Sequence, residues 1–324
     1  MSGGVLSKIC YAIELPIFFM ASGIQFRYNE TEKKTAKNYL AKRICRIIYP
    51  YITLSTIYIL IELCKMLAKI FIGRQCNIEN ILGLLKQTCS FWGIGALWFL
   101  PTIFFSELLL YTLCHFKYQT VVSVTILLVC WGMNNFMVGL FYAESLRKSE
   151  YFLIIGVRIL VAYVFEYIGY CIEPAYLQIT NKPTTQKGNL IYIGAIIVGL
   201  VLVQFNVGVN MRYGYIGNPI IEYISATVIM MSIVVLLTKI RNKSLMWLSK
   251  NSLLIMGMQF LEVDIAFKVK NLPLNVNSNT QMLFMCFIVL CVFMLLTIPI
   301  TEFVNRKVPF ILKPVINDNK NERN

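Results

Sequence analysis

The stretch YAIELPIFFMASG, Tyr11 to Gly23, carries a carboxylate, Glu14, just ahead of Pro16 and an aromatic pair. A carboxylate in so apolar a run either sits close enough to a surface to reach water or has acid–base work to do. A second such place is VRILVAYVFEYIGYC, where Arg158 and Glu166 lie well inside apolar sequence. Eight positions of helix put them on one face but about 12 Å apart along the axis, at about 1.5 Å per residue. They are too far apart to neutralise each other directly, so their partners are expected on other helices, in a structural ion pair or around a substrate cavity. Glu107 is a further ionisable group in apolar surroundings. Lys42, Arg43 and Arg46 recur at helical spacing in KRICRIIYPY. Such a cluster either anchors a helix at a lipid surface or forms a rim for a phosphate-bearing ligand. His115, the only histidine, stands at the end of an apolar run, as an interfacial structural residue or as a base. The ten cysteines show no metal-ligand spacing, and no metal is expected. Cys76 and Cys89 share one loop and are the pair placed to form a disulfide.

The elements that hold these groups follow from hydropathy. The chain has 324 residues, of which 57% are hydrophobic and 14% charged, against about 25% charged in an ordinary soluble domain. A bilayer core of about 30 Å takes roughly 20 residues of helix to cross. By that measure there are about nine spans, at 9–26, 47–72, 96–115, 120–142, 151–172, 190–206, 219–238, 245–264 and 281–304. Backbone groups in lipid must satisfy one another, and the alternation of a barrel strand is missing. The fold expected is therefore all-α, a polytopic integral-membrane helical bundle forming one domain over residues 1–324. Trp98, near the start of the third span, suits an interfacial aromatic belt. Pro50 is expected to kink the second helix as it meets the membrane.

The net charge of +14 is distributed by side. With nine spans, the loops 27–46, 116–119, 173–189 and 239–250 and the tail 305–324 share one face and hold 19 Lys and Arg, against 8 on the other face. That asymmetry places the basic tail and the C-terminus in the cytoplasm and the N-terminus outside. The charge thus reports topology and contact with anionic membrane lipid, and no nucleic-acid partner is expected. The basic cluster following residues 9–26 opposes their translocation, so that segment reads as a retained helix and not a cleaved leader.

Four stretches in order, ELPIFFMASGIQF, KRICRIIYPY, GALWFLPTIFF and LMWLSKNSLLIMGMQF, resemble the acyltransferase 3 family of integral-membrane O-acetyltransferases. That family includes enzymes that acetylate sugars of bacterial surface polysaccharides. A fifth stretch, RILVAYVFEYIGY, fits its pattern of an Arg followed by an aromatic-rich segment ending in Gly-Tyr. The resemblance runs from residue 9 to about residue 260 and implies a bundle of about ten helices in a bacterial cytoplasmic membrane. It further implies acetyl-CoA as the acyl donor and a saccharide hydroxyl as the acceptor. Lys42, Arg43 and Arg46 would meet the donor phosphates, while Glu107, Arg158 and Glu166 would line a polar path. Trp98 and Gln259 occupy motif positions. Family members usually begin with one more helix, whose end bears a histidine regarded as the catalytic base, and this sequence starts after it. Glu14 stands where many members have another histidine, and Gln259 where many have a third. Glu14 is accordingly a candidate acid–base residue by resemblance, with a structural role or a vestige of lost function as the other readings. The rival functions are a membrane transporter, a polysaccharide-export component, and a truncated, inactive family member.

Overall fold

The computed structural model describes residues 5–73, 78–141, 148–180, 186–206, 208–237, 242–259 and 279–312. Among them the backbone is helical, and pairing in the strand sense is confined to an isolated bridge between Asn210 and Tyr215. The helices are α1 (Val5–Tyr28), α2 (Ala36–Arg43), α3 (Tyr49–Phe71), α4 (Glu79–Cys89), α5 (Phe99–Cys114) and α6 (Gln119–Phe141). They continue with α7 (Lys148–Thr180), α8 (Gln186–Phe205), α9 (Pro219–Leu237), α10 (Lys243–Gly257) and α11 (Asn279–Lys307). Eight helical stretches among the described residues are long and apolar enough to span a bilayer, so the chain is a multi-pass membrane protein. The eighth expected span, 245–264, begins in α10, which has 15 residues; residues 260–264 lie outside the described ones.

Three stretches expected as loops are largely helical: 27–46, the stretch holding Cys89, where α4 runs from Glu79 to Cys89, and 173–180, which continues α7. Residues 27–46 contain a short turn, Thr31–Lys33, and then α2, which runs through Ile44–Ile48 into α3. Ile44–Ile48 is π-helical. It lies just before Pro50, which has no N–H to give to the carbonyl four residues back, and a locally widened turn absorbs the missing bond. The fifth expected span, 151–172, is the central part of α7, whose 33 residues extend about 50 Å. That exceeds the hydrocarbon thickness, so one end of α7 projects from the bilayer.

The described helices fall into two compact units. The first comprises residues 1–41 and 102–241, and the second residues 42–101 and 242–324. In the first unit α1 packs along α7, α8 along α9, and α6 against α7. Two glycines set the closeness of α1 to α7. A Cβ added to Gly23 would lie 1.9 Å from the Glu166 carbonyl oxygen, and one added to Gly169 would lie 2.1 Å from that of Met20. Only a missing side chain on each helix allows this approach, which is the small-residue packing of membrane helices. Phe19, Met20 and Phe26 of α1 and Tyr163 and Phe165 of α7 are fully enclosed in the same unit. By contrast α8 leaves Leu190, Ile191, Ile197 and Val198 more than half exposed, as a lipid-facing helix should.

The second unit is built on α3. Tyr51, 1% exposed, donates its hydroxyl to the Thr88 carbonyl at 2.8 Å and so ties α4 to α3. Thr53 donates to the Ile311 carbonyl at 2.7 Å. Asn305 of α11 donates to Asn251 of α10 at 2.7 Å, and Leu54 fills the notch left by Gly257. The turn Gly95–Trp98 folds back on Gly93, where a φ of +83° and the 2.2 Å that would separate an added Cβ from the Trp98 Cα exclude any side chain. Trp98 is thereby buried in the core of this unit and does not form the interfacial belt its sequence position suggested.

Overpacking of a close contact costs about 1–3 kcal/mol. Gly23→Ala is expected to destabilise the protein by that amount in detergent. Gly156→Ala, on the open side of α7 where nothing lies within 4 Å, is expected to leave it unchanged or slightly more stable. Thermal unfolding of the two variants checks the contrast.

Candidate functional site

Burial inside the first unit selects a small set of polar groups. Glu107 is 2% exposed, Arg158 1% and Glu166 0%. Each ionised group at mid-membrane costs at least about 2.5–3.5 kcal/mol, so it is kept where neighbours can stabilise it. The Ser22 hydroxyl, on α1, donates to Glu107 Oε1 on α5. One residue earlier on α5, the Ser106 hydroxyl donates to Glu166 Oε1 on α7 at 2.8 Å. Consecutive residues of α5 point to different neighbours, so Ser106 and Glu107 reach α7 and α1 respectively. Three helices therefore meet at two serine–carboxyl pairs. Gly23 lies beside Ser22 in sequence and presses on the Glu166 backbone, so the same close approach that joins α1 to α7 brings the two pairs together.

On the C-terminal side of this junction, Arg27 of α1 lies 3.6 Å from Glu173 of α7. It also donates to the Tyr170 carbonyl at 3.1 Å and lies 4.9 Å from the Tyr170 ring centroid. Tyr39 stacks on Tyr111 at 4.3 Å, and the Tyr111 hydroxyl donates to the Lys34 carbonyl at 2.6 Å. These contacts dock the start of α2 to the helix ends.

On the opposite side of the unit, the segment from Asn206 to Pro219 is stitched by buried amides. Asn206 donates to the Ile216 carbonyl at 3.1 Å and to Glu222 Oε2 at 2.9 Å, and accepts from the Asn218 N–H at 2.6 Å. Asn134 of α6 donates to the Gly217 carbonyl and accepts from the Ile216 N–H at 3.2 Å. Gly217, at φ +66°, leaves no room for a Cβ beside the Asn206 amide, and Gly214 packs on Val157 and the Arg158 backbone. Arg212 rides on this loop, where burial pulls its guanidinium below the ordinary value. An arginine starts so high that it stays charged.

The residues singled out from sequence are distributed as follows. Glu107, Arg158 and Glu166 are all enclosed in the first unit. Glu166 takes its hydrogen bond from another helix, as its distance from Arg158 requires. Glu14 belongs to the same unit but is exposed, eight residues and thus about 12 Å of helix from Ser22. Lys42 and Arg46 are exposed and Arg43 is half-buried; Arg46 lies within the π-helical stretch, a local geometry often found at functional sites. Trp98 is buried and Gln259 half-buried in the second unit. His115 is exposed, with its Nδ1 2.8 Å from the Tyr111 carbonyl. Cys89 is a free thiol, and Cys76 lies outside the described residues. Among the described residues no group of three or more His, Cys, Asp or Glu is arranged to hold a metal ion.

Sequence reasoning did not select Ser22, Ser106, Asn134, Asn206 or Glu222. The usable signal for Glu222 was a carboxylate three positions after Pro219 at the start of a span; for Ser22 it was the neighbouring Gly23. A family model described as an acyltransferase domain matches residues 3–298. No curated protein and no solved structure gives a match.

Removing the Asn206 amide strands the Glu222 carboxyl and two backbone groups. Asn206→Ala is expected to cost about 1–3 kcal/mol of stability and to speed amide hydrogen exchange at Asn218, whose N–H it accepts. Unchanged exchange at that position would mean that Asn206 does not fasten the loop.

Proposed function

The chain belongs to the acyltransferase 3 family, and from that premise we propose that it transfers an acetyl group from acetyl-CoA to a hydroxyl of a cell-surface or lipid-linked saccharide. The family makes it a membrane acyltransferase in general terms; donor, acceptor and reaction are this reading's own. The observation that carries it is the set of ionisable groups enclosed in the first unit, Glu107, Arg158 and Glu166. Acyl transfer across an apolar bundle needs polar side chains facing inward along the route, and a membrane protein keeps such groups only at a cost.

The proposed donor contact is the Lys42, Arg43 and Arg46 cluster. CoA carries several phosphates, and a guanidinium or ammonium group binds phosphate by charge-assisted hydrogen bonds. On the helix Ala36–Arg43 and its π-helical continuation, the three residues present their charges within about one and a half turns. The distribution of basic residues supports placing this segment and the C-terminus in the cytoplasm of a bacterial cell, in its cytoplasmic membrane, on the side where acetyl-CoA is made. Inside the first unit Glu166 and Arg158 are spaced by about 12 Å along α7. An acetylated surface glycan is the product that this arrangement fits.

Membranes containing the protein, supplied with radiolabelled acetyl-CoA, are expected to pass label to glycan, in an ester that mild base releases. Label that stays soluble or reaches only protein would contradict the reading. Exchanging Lys42, Arg43 and Arg46 together for Gln is expected to raise KM for acetyl-CoA at least about tenfold, each charged contact being worth about 1.5–3 kcal/mol, while the protein still folds. An unaltered KM would leave these residues as membrane anchors alone.

A further inference from the structure

We propose that the outward face of α6 docks on α6 of a second copy of this chain, with Asn135 pairing with its own counterpart. The inference concerns assembly and does not rest on the reaction. Asn134 and Asn135 are neighbours on a helix long and apolar enough to cross the bilayer, and about 100° of helix turn separates them. Asn134 is buried in the first unit, where it donates to the Gly217 carbonyl and accepts from the Ile216 N–H. Asn135 is exposed, and among the described residues its amide meets no hydrogen-bond partner. It lies five residues inside the Leu140 end of the span, about 7.5 Å into the bilayer. Its side chain is too short to reach back to the headgroups, as a lysine or arginine does. An amide left unpaired among acyl chains is costly. Thr125, exposed on the same face, avoids that cost by donating to the Val121 carbonyl of its own helix at 2.9 Å.

The surroundings of Asn135 form a helix-packing seam. Val121, Thr125, Leu128, Gly132, Asn135 and Gly139 are all exposed, and they recur at alternating intervals of four and three residues. That is the 3.5-residue repeat by which two helices wrap around each other. A Cβ added to Gly132 or Gly139 would have nothing within 4 Å, so the missing side chains serve no contact within this chain. Against another helix they let two backbones come close on either side of Asn135, which is the small-residue contact that membrane helices use.

Depth and chemistry both select a second copy as the occupant. The charge distribution that orients one copy in the membrane orients the other in the same way. A two-fold axis relating them then runs along the membrane normal, and equal residues meet at equal depth. An amide carries two donor hydrogens and an acceptor oxygen, so each Asn135 can donate to the side-chain carbonyl of the other. A carboxylate or a guanidinium in that place could not pair with itself. Acyl chains offer neither a donor nor an acceptor at this depth.

The test uses the full chain, purified and reconstituted without other proteins into vesicles over a series of protein-to-lipid ratios. Counting subunits by single-molecule photobleaching of a C-terminal fluorophore gives the dimer fraction. Wild type is expected to pass from one subunit to two as lipid is withdrawn. Asn135→Leu replaces the amide by an apolar side chain. It is expected to weaken the dimer about three- to twentyfold, the worth of a hydrogen bond between membrane helices, with thermal unfolding unchanged. Leu190→Ala, on the exposed side of α8, is expected to leave the dimer at wild-type strength. A wild type that stays single at every ratio overturns the proposal, as does a dimer that Asn135→Leu does not weaken. Equal weakening by Leu190→Ala would put the contact on another helix and overturns it too. If Asn135→Leu does not fold, Gly139→Leu carries the test by holding the two backbones apart; a weakened dimer supports the proposal and an unaltered one overturns it.

Discussion

A carboxyl group inside a bilayer has to be matched by a donor, and in this protein that requirement fixes how three helices meet. Glu107 is matched from α1 and Glu166 from α5. Both matches are made with α5, while α1 and α7 approach each other closely where Gly23 and Gly169 remove side chains from both surfaces. Packing and polar pairing thus act at one junction. The glycines bring α1 close to α7, and the serine–carboxyl pairs tie both helices to α5. Association of helices in lipid has no hydrophobic gain of the kind found in water, so close van der Waals contact and such hydrogen bonds carry it.

The same logic extends along the first unit. Beyond one side of the junction, Arg27, Glu173 and Tyr170 tie the helix ends together. Beyond the other, two asparagines fold the Asn206–Pro219 loop against the bundle and leave Arg212 held on it. Polar side chains are few in this chain; Ser22, Ser106, Asn134 and Asn206 each bond across elements, while buried Ser232 and Thr297 donate to their own helix. Within the second unit the joints are of a different kind, made by hydroxyl and amide groups of Tyr51, Thr53 and Asn305 reaching backbone or amide oxygens. Among the described residues of that unit no carboxyl is buried. The proposed chemistry accordingly concentrates in the first unit, and the proposed donor contact in the helix leaving it.

How far the sequence can be read follows from which forces act locally. Apolar run lengths located eight of the nine expected spans, because bilayer thickness imposes them directly, although the helices at Ala36–Phe71 and Ser149–Thr180 run well past the expected bounds. The bond that Glu166 takes from Ser106 on another helix agrees with the expectation, from helix rise alone, of partners on other helices. Helix extents outside the membrane were not legible: α2 and the projecting end of α7 are polar, and polar sequence is compatible with loop or helix until a docking partner is known. Trp98 was misplaced for a related reason. A tryptophan beside a span boundary suits the interface unless a turn, here permitted by Gly93, folds it inward. Ser22 and Ser106 were illegible because a serine in an apolar helix acquires meaning only from the residue opposite it, which is a fact of tertiary structure. The motif stretches ELPIFFMASGIQF and RILVAYVFEYIGY carried more than their individual residues suggested, since their glycines turn out to face each other's helices.

The bond between Ser22 and Glu107 joins α1 to α5, and a double-mutant cycle in unfolding free energy measures it directly. Ser22→Ala and Glu107→Ala, alone and together, are to be compared in the same lipid. A coupling of about 0.6–2 kcal/mol, the range for hydrogen bonds between membrane helices, is the predicted result. Strictly additive effects of the two substitutions would contradict the three-helix junction described above.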